Sequence, residues 1–163
     1  MLYQLVVFLH ILFVVGFLLA HGVSVIVAFS LKTERDPQKM SFMLDLSAAS
    51  YPWMTRLMWA FLLFGILAAF MGGFQTRIWP WLSLVLGFLI LVAMALFGAN
   101  HYGTARKLLG LRYNVKGKWY PPEPAGNIEE VYALLAKVNP VMLTIVGYGG
   151  FAVIIWLMRI KPF

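Results

Sequence analysis

The chain has 163 residues, of which 62% are apolar and only 12% charged, and its mean hydropathy is +0.84. Water-soluble domains carry about 25% charged and about 45–50% apolar residues, so this composition excludes a soluble domain and a disordered chain alike, and the absence of cysteine excludes a disulfide scaffold or a thiolate metal site. The net charge of +7 comes from 13 Lys and Arg against 6 Asp and Glu; these cations flank long apolar runs, the pattern of a membrane protein's loops rather than of a nucleic-acid surface.

Residues 5–31, LVVFLHILFVVGFLLAHGVSVIVAFSL, carry no formal charge. About 20 apolar residues cross a bilayer, so this run predicts a tilted transmembrane helix. A signal peptide would open on a basic segment with a shorter apolar core. Met1-Leu2-Tyr3-Gln4 holds no base, so a retained helix is expected. The second expected span is 54–74, with Arg56 placed to snorkel at its edge and Gly72-Gly73 ending it. The third is 79–100, with Pro80 at its start. The fourth is 141–158, with Asn139 as N-cap and Pro140 at the first helical position. In lipid every backbone amide needs an internal partner, and no repeat of a solenoid type recurs. The expected fold is therefore all-α, a single four-transmembrane-helix bundle over residues 1–163 with short interfacial helices in its cytoplasmic loops.

Ten of the thirteen cationic residues lie on the side of the loops that join spans one and two and spans three and four. The positive-inside rule then places those loops in the cytoplasm and both termini outside. Trp79, Trp81 and Trp156 would form the outer aromatic belt, and Tyr51 with Trp53 the inner one. Asp36-Pro37 reads as an N-cap followed by proline, opening a short helix to Ala49. Its Met40, Met43, Leu44 and Ser47 share a face, so it is expected to lie on the membrane surface.

Residues 101–139 form a cytoplasmic elbow. Within it, GLRYNVKGKWYPPEPAG (110–126) holds a turn signal at Val115-Lys116-Gly117 and then a Pro-rich stretch. Asn127 and Glu130 have the spacing of a capping box. The helix they open carries Val131, Leu134, Leu135 and Val138 on one face. The elbow reads either as a connector on the headgroups or as a docking site.

The apolar centres of the spans hold no Asp, Glu, Lys or Arg. Proton relays and ion-coupled transporters need an ionisable group at that depth. All six acids, Glu34, Asp36, Asp45, Glu123, Glu129 and Glu130, lie on the loop side, so no paired carboxylates are available inside the bilayer. No catalytic residue is expected; Ser24, three residues after His21, is the nearest approach to a nucleophile beside a base. Gly65, Ala69 and Gly73 recur every four residues on span two, and Gly16 with Ala20 does the same on span one. Such stripes let helices pack closely. The alternative reading is room for a flat cofactor between helices.

His10, His21 and His101 are the only histidines. His10 and His21 are three turns plus about 20° apart on a helix, so they share a face at depths about 16 Å apart. Val14, Phe17, Ser24 and Ala28 complete that face. An imidazole in a lipid-embedded helix is costly unless it faces the bundle and finds a partner. Two of them beside small residues suit a b-type haem, for which imidazole is a standard axial ligand. Three histidines allow one bis-His haem at most, and a flat count puts His101 about 12 Å deeper toward the cytoplasm than His21. Met54 and Met58 are the other axial candidates. Two further readings stay open: each histidine hydrogen-bonds across the bundle and holds nothing, or the nine methionines supply thioethers for a soft metal.

The stretch LHILFVVGFLLAHGVSVIVAFSLKTERDP (9–37) resembles an uncharacterised family of predicted bacterial four-helix integral membrane proteins, with its Leu-His start, Gly-Phe-Leu-x-Ala-His-Gly core and Glu-Arg-Asp-Pro exit. The resemblance implies four spans and no established activity. More distantly, Leu9-His10 near the start of the first helix is similar to copper-resistance D-type proteins and to the bacterial membrane protoporphyrinogen oxidase, whose end the closing Ile160-Lys161-Pro162-Phe163 also resembles. The lysine of that oxidase's third span has no counterpart in residues 80–87. The resemblance therefore implies only His10 as a tetrapyrrole or metal contact. Three functions are expected in turn: an accessory or structural subunit of a larger, respiratory type of membrane complex; a b-type haem electron carrier; and a metal or porphyrin handler. The expected partners are the lipid bilayer and other membrane subunits or further copies of the chain, with no nucleic acid.

Overall fold

The computed structural model describes residues 1–115 and 117–162. In chain order these form α1 (Leu2–Thr33), α2 (Pro37–Met71), α3 (Ile78–Leu108), a hairpin of β1 (Tyr113–Val115) and β2 (Lys118–Tyr120), α4 (Ile128–Ala136) and α5 (Pro140–Ile160). The fold is nearly all-α, and α1, α2, α3 and α5 are each long and apolar enough to cross a membrane. At 1.5 Å per residue the first three are about 46–53 Å long, against a hydrocarbon core about 30 Å thick. They therefore run on beyond the membrane, whereas α5 spans it with nothing to spare. The overhang lies at the elbow end, because α4 and the hairpin pack there.

Two expectations about the loops give way here. Residues 37–49 are not a separate surface helix but the first part of α2, which passes through Pro52 without a break. Pro52 withholds the N–H that would pair with the Ala48 carbonyl, a cost of about 3 kcal/mol inside a helix. Burial offsets it: Met40 is 0% exposed and Leu44 is buried, and a fully buried apolar side chain of this kind contributes about 1.5–3 kcal/mol. The face carrying Met40 and Leu44 thus turns to protein rather than to headgroups. Likewise α3 continues past Asn100 to Leu108, so the elbow begins nearer residue 109 than 101.

The elbow is folded against the helices. Val27 and Leu31 of α1, Met40 and Leu44 of α2, Ala105 of α3, and Val131 and Leu135 of α4 make one buried cluster. The α3 helix closes in a Schellman turn, with Leu111 N–H donating to the Arg106 carbonyl, Gly110 N–H to that of Lys107, and Gly110 at φ +70°. Lys32 of α1 donates to the carbonyls of Ala136 and Val138 at 2.7 and 2.9 Å, capping the end of α4. The sequence-predicted N-caps form: the side chains of Asp36, Asn127 and Asn139 accept from Gln38, Glu129 and Met142 N–H. Asn127 therefore caps its helix through Glu129 rather than through the N–H of Glu130 that a capping box uses. The turn expected at Val115-Lys116-Gly117 joins the two hairpin strands, where Val115 pairs with Lys118; Lys116 itself lies outside the described residues.

The small residues divide by role. A Cβ on Gly16 would lie 3.3 Å from Leu57 of α2, and one on Gly65 would lie 2.9 Å from the His10 ring, so both mark the close approach of α1 and α2. Ala20 and Ala69 are half-buried on the same two helices. Gly73 is no part of a packing stripe. It follows the end of α2 at φ +71° with open space around it, making the turn toward α3.

Candidate functional site

The two histidines of α1 look to different neighbours. His10 Nδ1–H donates to the Phe61 carbonyl of α2 at 2.8 Å, which leaves Nε2 as the second site of that ring. Gly65 makes this possible. It sits one turn beyond Phe61, and with no side chain there the carbonyl's second lone pair stays open to the imidazole.

His21 instead faces α3 and α5. Its ring stacks on Phe17 with centroids 5.9 Å apart and lies 5.7 Å from the Tyr148 ring. Its Nε2 is 3.4 Å, and the Met94 sulfur 3.8 Å, from the point a Cβ on Gly147 would occupy, so Gly147 brings imidazole and thioether to one place. The Tyr148 hydroxyl donates to the Leu18 carbonyl, tying α5 to α1. His21 Nδ1 is buried with no hydrogen-bond partner. A face shared by His10 and His21 is thus divided between two partners, with buried Phe17 between them against Phe61 of α2 and Phe151 of α5.

The backbone around His21 is unusual. Ala95–Ala99 of α3 and Ile145–Gly149 of α5 are both π-helical turns. A π turn carries one extra residue in the helix and occurs often at functional sites. The two helices run antiparallel in close contact: Gly98 lies against Leu143, Gly147 against Met94, and Gly150 against Ile90. Both π turns therefore fall at nearly one depth, beside His21.

His101 is half-buried two residues beyond the α3 π turn, with its own Nδ1 buried and, among the described residues, unpartnered. It lies seven residues past Met94, about 10 Å further toward the elbow. The structure thus does not bring His10, His21 and His101 to one point. Met54 and Met58 are half-buried on α2. Met94, which the sequence reading passed over, is the thioether placed beside His21. The signal for it was present in the glycines of residues 147–150, whose purpose as a recess for His21 becomes visible only with α3 and α5 side by side. Ser24 does not serve His21 as a nucleophile; its hydroxyl pairs with Ser47 of α2 at 3.0 Å. Among the described residues no three of His, Asp and Glu cluster as a metal site.

At the elbow end Arg106 is 8% exposed, donating to Asp45 at 2.7 Å and to the Arg112 carbonyl at 2.7 Å. On the surface nearby, Glu123 accepts from the Tyr113 hydroxyl and pairs with Lys107 at 3.2 Å. The Tyr113 hydrogen bond, and then Lys107, holds the Glu123 carboxyl below its ordinary range, while that same bond raises the Tyr113 phenol. No family model, curated protein or solved structure matches the chain.

Proposed function

We propose that this chain is a non-catalytic subunit of a larger membrane assembly in a bacterial inner membrane, with the elbow in the cytoplasm and both termini outside. One observation carries the reading: beyond Leu44 no residue of α2 is fully buried, and the side of α2 turned away from α1 is open to lipid or to another subunit along its transmembrane length. Trp59, Leu63, Ile66 and Phe70 line that open side. Isolation in a mild detergent is expected to yield the chain within a larger complex on native gels. Recovery only as a lone protomer would overturn the proposal.

A second reading is a b-type haem electron carrier with His21 as axial ligand. It is favoured by the buried, unpartnered Nδ1 of His21 and by Met94 beside the ring as a second donor. Phe17 and Tyr148 occupy the surrounding interior, so a macrocycle requires α5 to move away from α1 there. A bound haem supplies one-electron transfer; the chain supplies its ligands and an apolar surround. Expression with ample haem gives a Soret band that His21→Ala abolishes, and no band ends this reading. Metal or porphyrin recovered with the purified chain would favour the third function instead.

A further inference from the structure

The elbow end holds a cleft of about 340 Å³ walled by Ala48, Ala49 and Pro52 of α2, Arg106 of α3, and Arg112 and Trp119 of the hairpin segment. Met71 lies 19 residues beyond Pro52 on α2, about 28 Å of helix and close to one hydrocarbon thickness. The cleft therefore opens at the elbow-side boundary between acyl chains and headgroups.

Its charge is one-sided. The walls contain two guanidinium groups and no carboxylate. Asp45 takes Arg106 Nη2, but Arg106 Nη1 is buried without a partner. A buried, unpaired donor of a charged group is costly, so an acceptor brought to it is favoured. Among the described residues Arg112 has no carboxylate partner; its guanidinium lies over the Trp119 ring at 5.4 Å, on the same indole that Arg106 approaches at 5.9 Å. The α2 side is small and apolar, leaving room for glycerol and the start of an acyl chain.

We infer that this cleft binds a phosphate group at headgroup depth, held by Arg106 and Arg112 beneath Trp119. Arginine forks match phosphate oxygens in bidentate fashion, and basic pockets between spans at a membrane boundary take anionic headgroups. The depth and the apolar α2 wall suit the phosphodiester of an acidic lipid; free phosphate shares the chemistry.

The test is native mass spectrometry of the full chain in detergent, titrated with dioctanoyl-phosphatidylglycerol, dioctanoylglycerol or inorganic phosphate. The phosphatidylglycerol is expected to bind, and Arg112→Gln to weaken it about tenfold, the loss of one charge-assisted contact. Arg112 is exposed and, among the described residues, its side chain makes no hydrogen bond, so this variant leaves the fold in place. Arg112→Lys keeps the charge and loses less, and Arg35→Gln, in the α1–α2 turn beside the elbow but outside the cleft, changes nothing. Binding by phosphatidylglycerol alone assigns the site to lipid; competition by inorganic phosphate assigns it to the phosphate group from either source. Equal affinity for dioctanoylglycerol, an unchanged affinity in Arg112→Gln, or an equal loss in Arg35→Gln overturns the inference.

Discussion

Adding one methyl group at Gly65 and at Gly87 has opposite consequences. Both glycines lie inside spanning helices, where alanine gains about 1 kcal/mol of helix propensity over glycine. At Gly87 the new Cβ meets only Ile154 Cδ1 at 3.9 Å, ordinary contact, so Gly87→Ala is neutral or stabilising by up to about 1 kcal/mol. At Gly65 the same atom lies 2.9 Å from His10 Cε1 and 3.0 Å from Nδ1. The ring must withdraw and give up the Phe61 carbonyl. Overpacking costs about 1–3 kcal/mol. A hydrogen bond between spans adds about 0.6–1.7 kcal/mol. Against the propensity gain, Gly65→Ala is destabilising by about 1–3 kcal/mol. Reversible unfolding of the detergent-solubilised chain by SDS measures both. In a His10→Ala background the clash disappears, and Gly65→Ala becomes neutral or stabilising, a coupling of about 2 kcal/mol. Equal effects at the two glycines, or strict additivity with His10→Ala, would refute the assignment of His10 to α2.

Met40→Ala opens a cavity in the elbow cluster and costs about 2–5 kcal/mol, read as faster proteolysis within residues 110–126 while the spans stay protected. Lys32→Ala uncaps α4, with a loss of about 1–2 kcal/mol and faster amide exchange confined to Ile128–Ala136. Glu123 has a depressed carboxyl in the folded chain, so its stabilising contribution is complete above the ordinary carboxylate value of 4.5 and is lost as pH falls through the lower folded value. Amide exchange in the hairpin segment should therefore accelerate below that value beyond the intrinsic rate, and Tyr113→Phe or Glu123→Gln should remove the pH dependence. Protection that still falls with pH in Glu123→Gln as it does in the parent chain would contradict the role given to Glu123.

Part of the candidate site was legible in residue types alone. His10 and His21 stand out because imidazoles are rare and costly among apolar residues. Their helical spacing put both on the inward side of α1, which holds, since both rings contact neighbouring helices. What helical spacing has no means of expressing is which helix each ring meets. Phe61 is 51 residues from His10, and Tyr148 is 127 from His21. Met94 looked like any methionine of an apolar span until Gly147 was seen to make a recess opposite it. Arg106 likewise read as a topology marker, whereas its partners Asp45 and Arg112 make it the buried ionic link between α2, α3 and the hairpin segment.

The amino-acid sequence by itself determined the four spans and the three helix starts at Asp36, Asn127 and Asn139. Both rest on local physics: an uncharged run of sufficient length partitions into lipid as helix, and a capping side chain reaches a backbone N–H within three residues. Only the tertiary structure decided that α2 runs unbroken through Pro52, that the faces of Met40 and Val131 meet in one cluster, and that paired π turns flank His21. Each depends on packing between segments distant in sequence. Burial at one end outweighs a proline's local cost, and an inserted residue in a helix is retained where a neighbouring helix fits against it.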